Sequence, residues 1–175
     1  MKFVKTGSLK LTDFSDGDWA KCLFTRKSVS GNMVFFGNSL VSWRSKKQDT
    51  VSRSSTESKY KPLGTLASEI IWILKILKDV GVNNLVPVNT FCDNESAIKL
   101  ALNLIFHDKT KHFEVDVHFI REKISKRIIK LLDINTKDQI ADILTKSLGI
   151  SQHEVLVFKM GMVDPFSVTG MKHKS

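Results

Sequence analysis

No apolar run in this chain approaches the roughly 20 residues that a membrane-crossing helix needs. Cysteine is scarce: Cys22 and Cys92 are the whole complement, which gives neither a disulfide framework nor a zinc-ligand spacing. Such usage suits a reducing compartment, so an intracellular protein, cytoplasmic or nuclear, is expected. The N-terminal run MKFVKTGSLK holds no apolar core, so no secretory signal is expected. Internal repeats and low-complexity linkers are lacking too. His107, His112 and His118 match no standard zinc pattern, which leaves carboxylates as the candidate metal ligands.

What is present fits one globular domain. The 175 residues are 42% hydrophobic, enough to bury a core. The formal net charge of +9 favours a polyanionic partner, of which nucleic acid is the commonest. Basic residues cluster at Arg44, Lys46 and Lys47, at Lys109 and Lys111, and at Lys123, Lys126 and Arg127.

The hydrophobic pattern predicts an α/β order. Residues 8–16 read as a strand ending on Asp16, and 31–43 as a hairpin turning at Gly37-Asn38. A long helix is expected over about 56–79, with Leu66, Ile70, Ile73, Leu74, Leu77 and Val80 on one stripe. Its start is unusual. Ser55 or Thr56 serves as N-cap and Glu57 complements the dipole, but Lys59, Lys61 and Pro62 follow within two turns. A strand over 86–93 ends on Asp93, and a helix from Asn94 to Asn103 starts with Glu95 in its first turn. A helical stripe of Phe113, Val117, Ile120 and Ile124, a strand over 127–134 and a short helix QIADILTK capped by Asp138 complete the body. A last helix over 152–160 precedes a loose tail from about 163.

Asp16, Asp93 and Asp142 are far apart in sequence, and Asp16 and Asp93 close strands, where α/β sheets usually place their chemistry. Three carboxylates in a basic chain point to a hard-metal site that shares Mg²⁺ with phosphate oxygens. Trp19, Trp43 and Trp72 offer possible stacking surfaces for bases, but Trp43 and Trp72 are expected to be buried.

The segments FSDGDWA, RKSVSGNMVFF, VSWRSKKQDTVSRSSTESKY, FCDNESAI, FHDKTKHFEVDVHFIREK and KDQIADILTKSL run in order through nearly the whole chain. Together they resemble the ribonuclease H domain of copia-type retrotransposon Pol polyproteins. The resemblance implies a ribonuclease H-like fold over residues 8–150, a mixed sheet of about five strands, the first three antiparallel, flanked by helices. Residues 151–175 are left as a C-terminal helix and tail. It further implies a four-carboxylate site holding two Mg²⁺ ions, which cuts the RNA strand of an RNA–DNA hybrid: one ion activates water, the other steadies the leaving oxygen. Carried over by position, Asp16, Asp93 and Asp142 occupy three catalytic, metal-binding places. The family stretch reads like STEAEYIAL, whereas this chain has STESKYKPL, so Lys59 occupies the fourth place. Lys21 and Cys22-Leu23-Phe24 also depart from a glycine and an acidic, polar loop. Loss of nuclease activity is therefore expected, with Lys59 paired to Asp16 or Asp93. Glu57, about 200° from position 59 around a helix, and Asp18 are the nearby acids that could compensate. Arg44, Lys46 and Lys47 are the expected phosphate contacts on a hybrid. A reverse transcriptase, placed upstream by the family, is expected to lie outside this chain.

Overall fold

Alternating burial along Leu11–Asp18 is the mark of a strand with two different faces, and this segment is β1, the centre of the sheet. In the computed structural model, which describes residues 9–103 and 114–162, β1 is followed by β2 (Val29–Phe36) and β3 (Ser39–Lys47). Gly37, at φ 59°, makes the tight turn between them. Helix α1 (Ser55–Asp79) crosses to β4 (Val88–Cys92), and α2 (Glu95–Leu102) and α3 (Glu114–Ser125) lead to β5 (Ile129–Asp133). A 3₁₀ turn (Thr136–Asp138), the single-turn helix α4 (Asp142–Thr145) and α5 (Ile150–Lys159) close the described chain.

The sheet order is β3-β2-β1-β4-β5. The first three strands are antiparallel, and β4 and β5 run parallel to β1. Two core clusters cover one face. Leu66, Ala67 and Ile70 of α1 meet Leu11 and Val34, while Tyr60 and Leu63 join α2, α3 and Leu131. On the other face Ile140 and Leu156 cover Met33 and Phe35, with Phe14 alongside. The expected α/β class, five strands and antiparallel first three are therefore what the chain builds.

Several boundaries move, for identifiable reasons. β1 runs on to Asp18 because its antiparallel pairing with β2 continues through Asp18↔Val29. The N-cap of α1 is Ser54, not Ser55 or Thr56: its side chain accepts from the Glu57 N–H. Glu57 in turn accepts from the Arg53 N–H, so the first turn is well capped. The helix continues through Pro62 without a break. Proline leaves the Ser58 carbonyl without its usual helical donor, and Gln48 Nε2 donates to it instead at 2.8 Å. Lys61, which also looked disruptive, reaches Glu57 at 2.8 Å and the Thr50 hydroxyl at 2.9 Å. Asp138 caps no helix. Asn135 caps the 3₁₀ turn, Asp138 pairs with Lys159, and buried Gln139 interrupts the run before α4. Trp43 and Trp72 are 64% and 59% exposed, contrary to expectation, because one lies on an edge strand and the other on the outer side of α1. His107, His112, Lys109, Lys111, Phe113 and the tail lie outside the described residues.

One buried acid stands apart from the cluster described below. Asp13 is fully buried under α1, one oxygen accepting from Thr90 Oγ1 and the other without a hydrogen bond. Burial pushes its pKa well above the ordinary 3.8, against the smaller lowering effect of Thr90. The folded chain thus keeps a proton that the unfolded chain releases from about pH 4 upward, so this group's contribution to stability is complete in acid and falls as pH rises. Asp13→Asn, which has no such proton, should gain at least about 1 kcal/mol on the wild type between about pH 4 and pH 7. Urea denaturation at the two pH values measures this gain.

Candidate functional site

The parallel pairing of β1 with β4 sets Ser15 opposite Cys92, so the next residues, Asp16 and Asp93, emerge side by side where that pairing ends. Asn94 immediately starts α2 by accepting from the Ala97 N–H at 2.7 Å, which turns the chain away and leaves Asp93 at the mouth of the turn. Asp142 comes from α4, delivered across the sheet. Gly31 lies opposite Asp16 on β2, and a β-carbon there would meet Thr145 Cγ2 at 2.7 Å, so only glycine lets α4 sit this close. Gln139 Nε2 donates to the Ser15 carbonyl, and Thr145 Oγ1 donates to Asp16 Oδ2 at 2.5 Å. Asp16, Asp93 and Asp142 consequently each place a carboxylate oxygen within 4.8 Å of the others.

Helix α1 supplies the fourth member. Gly17 lets the helix approach: a β-carbon there would lie 2.2 Å from the Ser58 carbonyl oxygen. Asn32 Nδ2 holds the Pro62 carbonyl at 3.2 Å. Lys59, one residue beyond Ser58, therefore points straight into the acid cluster. Its Nζ lies 2.5 Å from Asp93 Oδ1, as a hydrogen bond, and 3.0 Å from Asp16 Oδ1, as an ion pair without hydrogen-bond geometry. Burial works against the ammonium, but Asp16 and Asp93 outweigh it, so the pKa of Lys59 is raised and the charge is secure. A further ammonium approaches from the other side: Lys146 Nζ is 2.8 Å from Asp142 Oδ1 and 4.0 Å from Asp16 Oδ2. Burial still pushes Asp142 up to about 6, with Lys146 opposing and Asp16 reinforcing the rise.

The arrangement tests the expected cofactor directly. Three converging carboxylates are a suitable donor set for a hard dication. Ammonium nitrogens already stand at hydrogen-bonding distance inside that set, and a dication beside them would meet like charge. In this arrangement the residues do not fit two Mg²⁺ ions.

The geometry can now be set beside known proteins. No protein-family model matches the chain. It is 37% identical over 161 residues, 91% of its length, to the retrovirus-related Pol polyprotein from transposon RE1 of Arabidopsis thaliana. It is 35% identical over 87% of its length to the corresponding polyprotein from transposon TNT 1-94 of Nicotiana tabacum. LC11-RNase H1, a ribonuclease isolated from compost, superposes with a TM-score of 0.60 at 14% identity over 79% of this chain and 94% of that one. The chain belongs with these Pol polyproteins, as a ribonuclease H-like domain. It spans about 11% of the polyproteins' length. The structural likeness, at such low identity, speaks for the fold alone. LC11-RNase H1 has also been solved in complex with an RNA/DNA hybrid, which superposes with a TM-score of 0.52 at 15% identity over 78% of this chain and 94% of that one.

Within this ribonuclease H-like domain the other candidate acids lie elsewhere. Glu57 is buried in the cap of α1 with Lys61, and Asp18 pairs with Lys21 at 3.1 Å. Among the described residues only Asp16, Asp93 and Asp142 form a potential metal group. Lys46 and Lys47 of β3 line a groove with Arg44, facing Lys61, Thr65 and Asp116. Lys46 is paired with Asp49 at 3.0 Å, and Lys47 approaches Cys22 Sγ at 3.1 Å. Glu95 opens α2 and pairs with Lys99, and His118 lies exposed near Glu114. Reading the chain residue by residue missed Lys146, although its i,i+4 spacing from Asp142 was a usable signal. It also missed Gly17 and Gly31, whose role appears only once the strands are paired.

Removing the ammonium while keeping its stem isolates what it does. Lys59→Met should destabilise the domain by about 3 kcal/mol, the cost of leaving buried carboxylates without their counter-charge. Equilibrium urea denaturation in the presence of a chelator gives the number.

Proposed function

We propose that the chain is a ribonuclease H domain by descent, whose ancestral reaction is hydrolysis of the RNA strand of an RNA–DNA hybrid formed during reverse transcription, and that Lys59 has impaired that reaction. The polyprotein kinship and the ribonuclease H fold support the ancestry. The hybrid bound by LC11-RNase H1 supports the substrate class. One observation carries the impairment: Lys59 Nζ sits 2.5 Å from Asp93 and 3.0 Å from Asp16. By position Asp16, Asp93 and Asp142 would hold two Mg²⁺ ions, the cofactors of the ancestral reaction. The same amine fills the place of the fourth ligand and brings positive charge to the other three. Two unit charges at ~4 Å interact by ~4 kcal/mol at an effective dielectric of 20, and a dication doubles that repulsion.

The deciding assay uses a labelled hybrid with Mg²⁺. The wild-type chain should show little or no cleavage, and Lys59→Glu should gain at least about a hundredfold, the scale of one strong electrostatic interaction in a transition state. Equal, robust cleavage by both proteins would overturn the impairment.

The groove beside β3 favours a second reading, a non-catalytic remnant that binds nucleic acid. Arg44, Lys46, Lys47 and Lys61 line one surface, and recognition there would follow backbone charge with little sequence preference. Shape and the 2′-hydroxyls would distinguish a hybrid from duplex DNA. Under this reading the chain binds a hybrid in chelator. Replacing Arg44, Lys46 and Lys47 together by Gln should lower the slope of log K against log salt by about 2 to 3. An unchanged slope in a fluorescence-anisotropy titration would remove these residues from the interface.

A further inference from the structure

We propose that Lys146 is a second built-in cation of the acid cluster, so that the chain carries one ammonium at each of two metal seats and Lys146 guards the second. The proposal rests on the reading above that Lys59 excludes a dication from the first. It adds a residue that no position-by-position match assigns to the site.

The geometry divides the cluster in two. Asp16 is the shared member. Its Oδ1 faces Lys59, which also holds Asp93, and its Oδ2 faces Lys146, which also holds Asp142. Each ammonium thus lies between Asp16 and one other carboxylate, so the three acids that would hold dications are divided into two pairs, each already facing a positive charge. The orientation of Asp16 is not free to vary, because Thr145 Oγ1 donates to Oδ2 at 2.5 Å from the residue just before Lys146.

The two lysines differ in how they can leave. Lys59 projects from a 25-residue helix clamped by Gly17, Asn32 and Gln48, and its side chain is 15% exposed. Lys146 ends the single-turn helix α4, its N–H bonded to the Asp142 carbonyl, and its side chain is 27% exposed. Lys146, the more exposed of the two, can therefore swing its long stem to solvent more readily than Lys59 while its backbone stays in place. Lys59 is the more enclosed plug and Lys146 the more readily displaced one. Lys59 breaks the family-like pattern, but Lys146 lies within ADILTK, a segment that follows it. A dication entering the second seat would have to displace Lys146 even in a chain whose glutamate is restored.

Mn²⁺ binding to the full chain, followed by calorimetry and by the paramagnetic resonance of the free ion, tests this without any cleavage readout. Four proteins suffice: wild type, Lys59→Glu, and Lys59→Glu combined with either Lys146→Gln or Lys146→Arg. Wild type should show no saturable site at the cluster. Lys59→Glu should bind one ion well and a second weakly. Lys146→Gln should tighten the second event by about tenfold or more, as expected when a like charge is withdrawn from beside a dication. Lys146→Arg, which keeps the charge, should leave it weak. Equal affinity for the second ion in the Gln and Arg proteins would overturn the proposal. Wild-type binding as tight as that of Lys59→Glu would sink the reading of Lys59 alone, since the Gln-to-Arg comparison still decides Lys146. A variant that unfolds in chelator is read from its urea midpoint against Mn²⁺ concentration. A fold restored at lower Mn²⁺ in the Gln protein than in the Arg protein supports the proposal, and equal concentrations refute it.

Discussion

Three carboxylates cannot be buried within a few ångströms of one another unless positive charge or protons accompany them. A single pair of unit charges at ~4 Å repels by ~4 kcal/mol at an effective dielectric of 20. Three such pairs would consume most of the roughly 5–15 kcal/mol that holds a domain of this size together. Asp16, Asp93 and Asp142 are in that position, their oxygens within 4.8 Å and their side chains almost wholly buried. The chain answers with two ammonium groups. The remaining imbalance appears at Asp142, whose carboxyl is pushed up to about 6 by burial despite its pair with Lys146.

That electrostatic solution depends on backbone packing that has nothing to do with charge. Lys59 reaches the acids because α1 lies against the end of β1, and it lies there because Gly17 presents no side chain to the Ser58 carbonyl. The same carbonyl lacks an intrahelical donor because residue 62 is proline, and Gln48 uses the opening to tie β3's trailing segment to the helix. Pro62 is thus a docking point more than a defect. On the opposite face Gly31 does for α4 what Gly17 does for α1. Asp16 is therefore clamped between α1, which delivers the amine of Lys59, and α4, which delivers Asp142 and, at its end, Lys146.

Much of this was legible in the chain. Long periodic elements, aspartates at or near the strand ends and the amine at position 59 all follow from spacing and from one departure in an otherwise familiar run. What escaped was whatever depends on tertiary neighbours. The exposure of Trp43 was invisible because nothing local says that β3 is an edge strand. Asp138 looks like a helix cap, but Gln139 is drawn inward to the Ser15 carbonyl and ends the turn before a helix can start there. Lys146 read as one more lysine in a basic chain until Asp16, sequentially remote, was found 4.0 Å away. Periodicity reports which face of an element is buried; it does not report what that face will meet.

On the proposed reading, a glutamate-to-lysine exchange at position 59 would be less violent to the fold than to the chemistry, and charge arithmetic explains the difference. A glutamate carrying a dication contributes a net charge of plus one to its surroundings. A lysine ammonium contributes the same. Asp16 and Asp93 accordingly meet a similar net field in either case, so the strand ends, the start of α2 and the clamp on α1 can persist. What differs is the nature of the charge. An ammonium offers three N–H donors, but it is no Lewis acid and cannot bind and activate a water as a metal ion does. Under the proposed impairment, the exchange would preserve the electrostatics that let the acids be buried and remove the open coordination that hydrolysis requires. A domain altered in this way would keep its shape and its basic groove while losing the reason its acids were brought together.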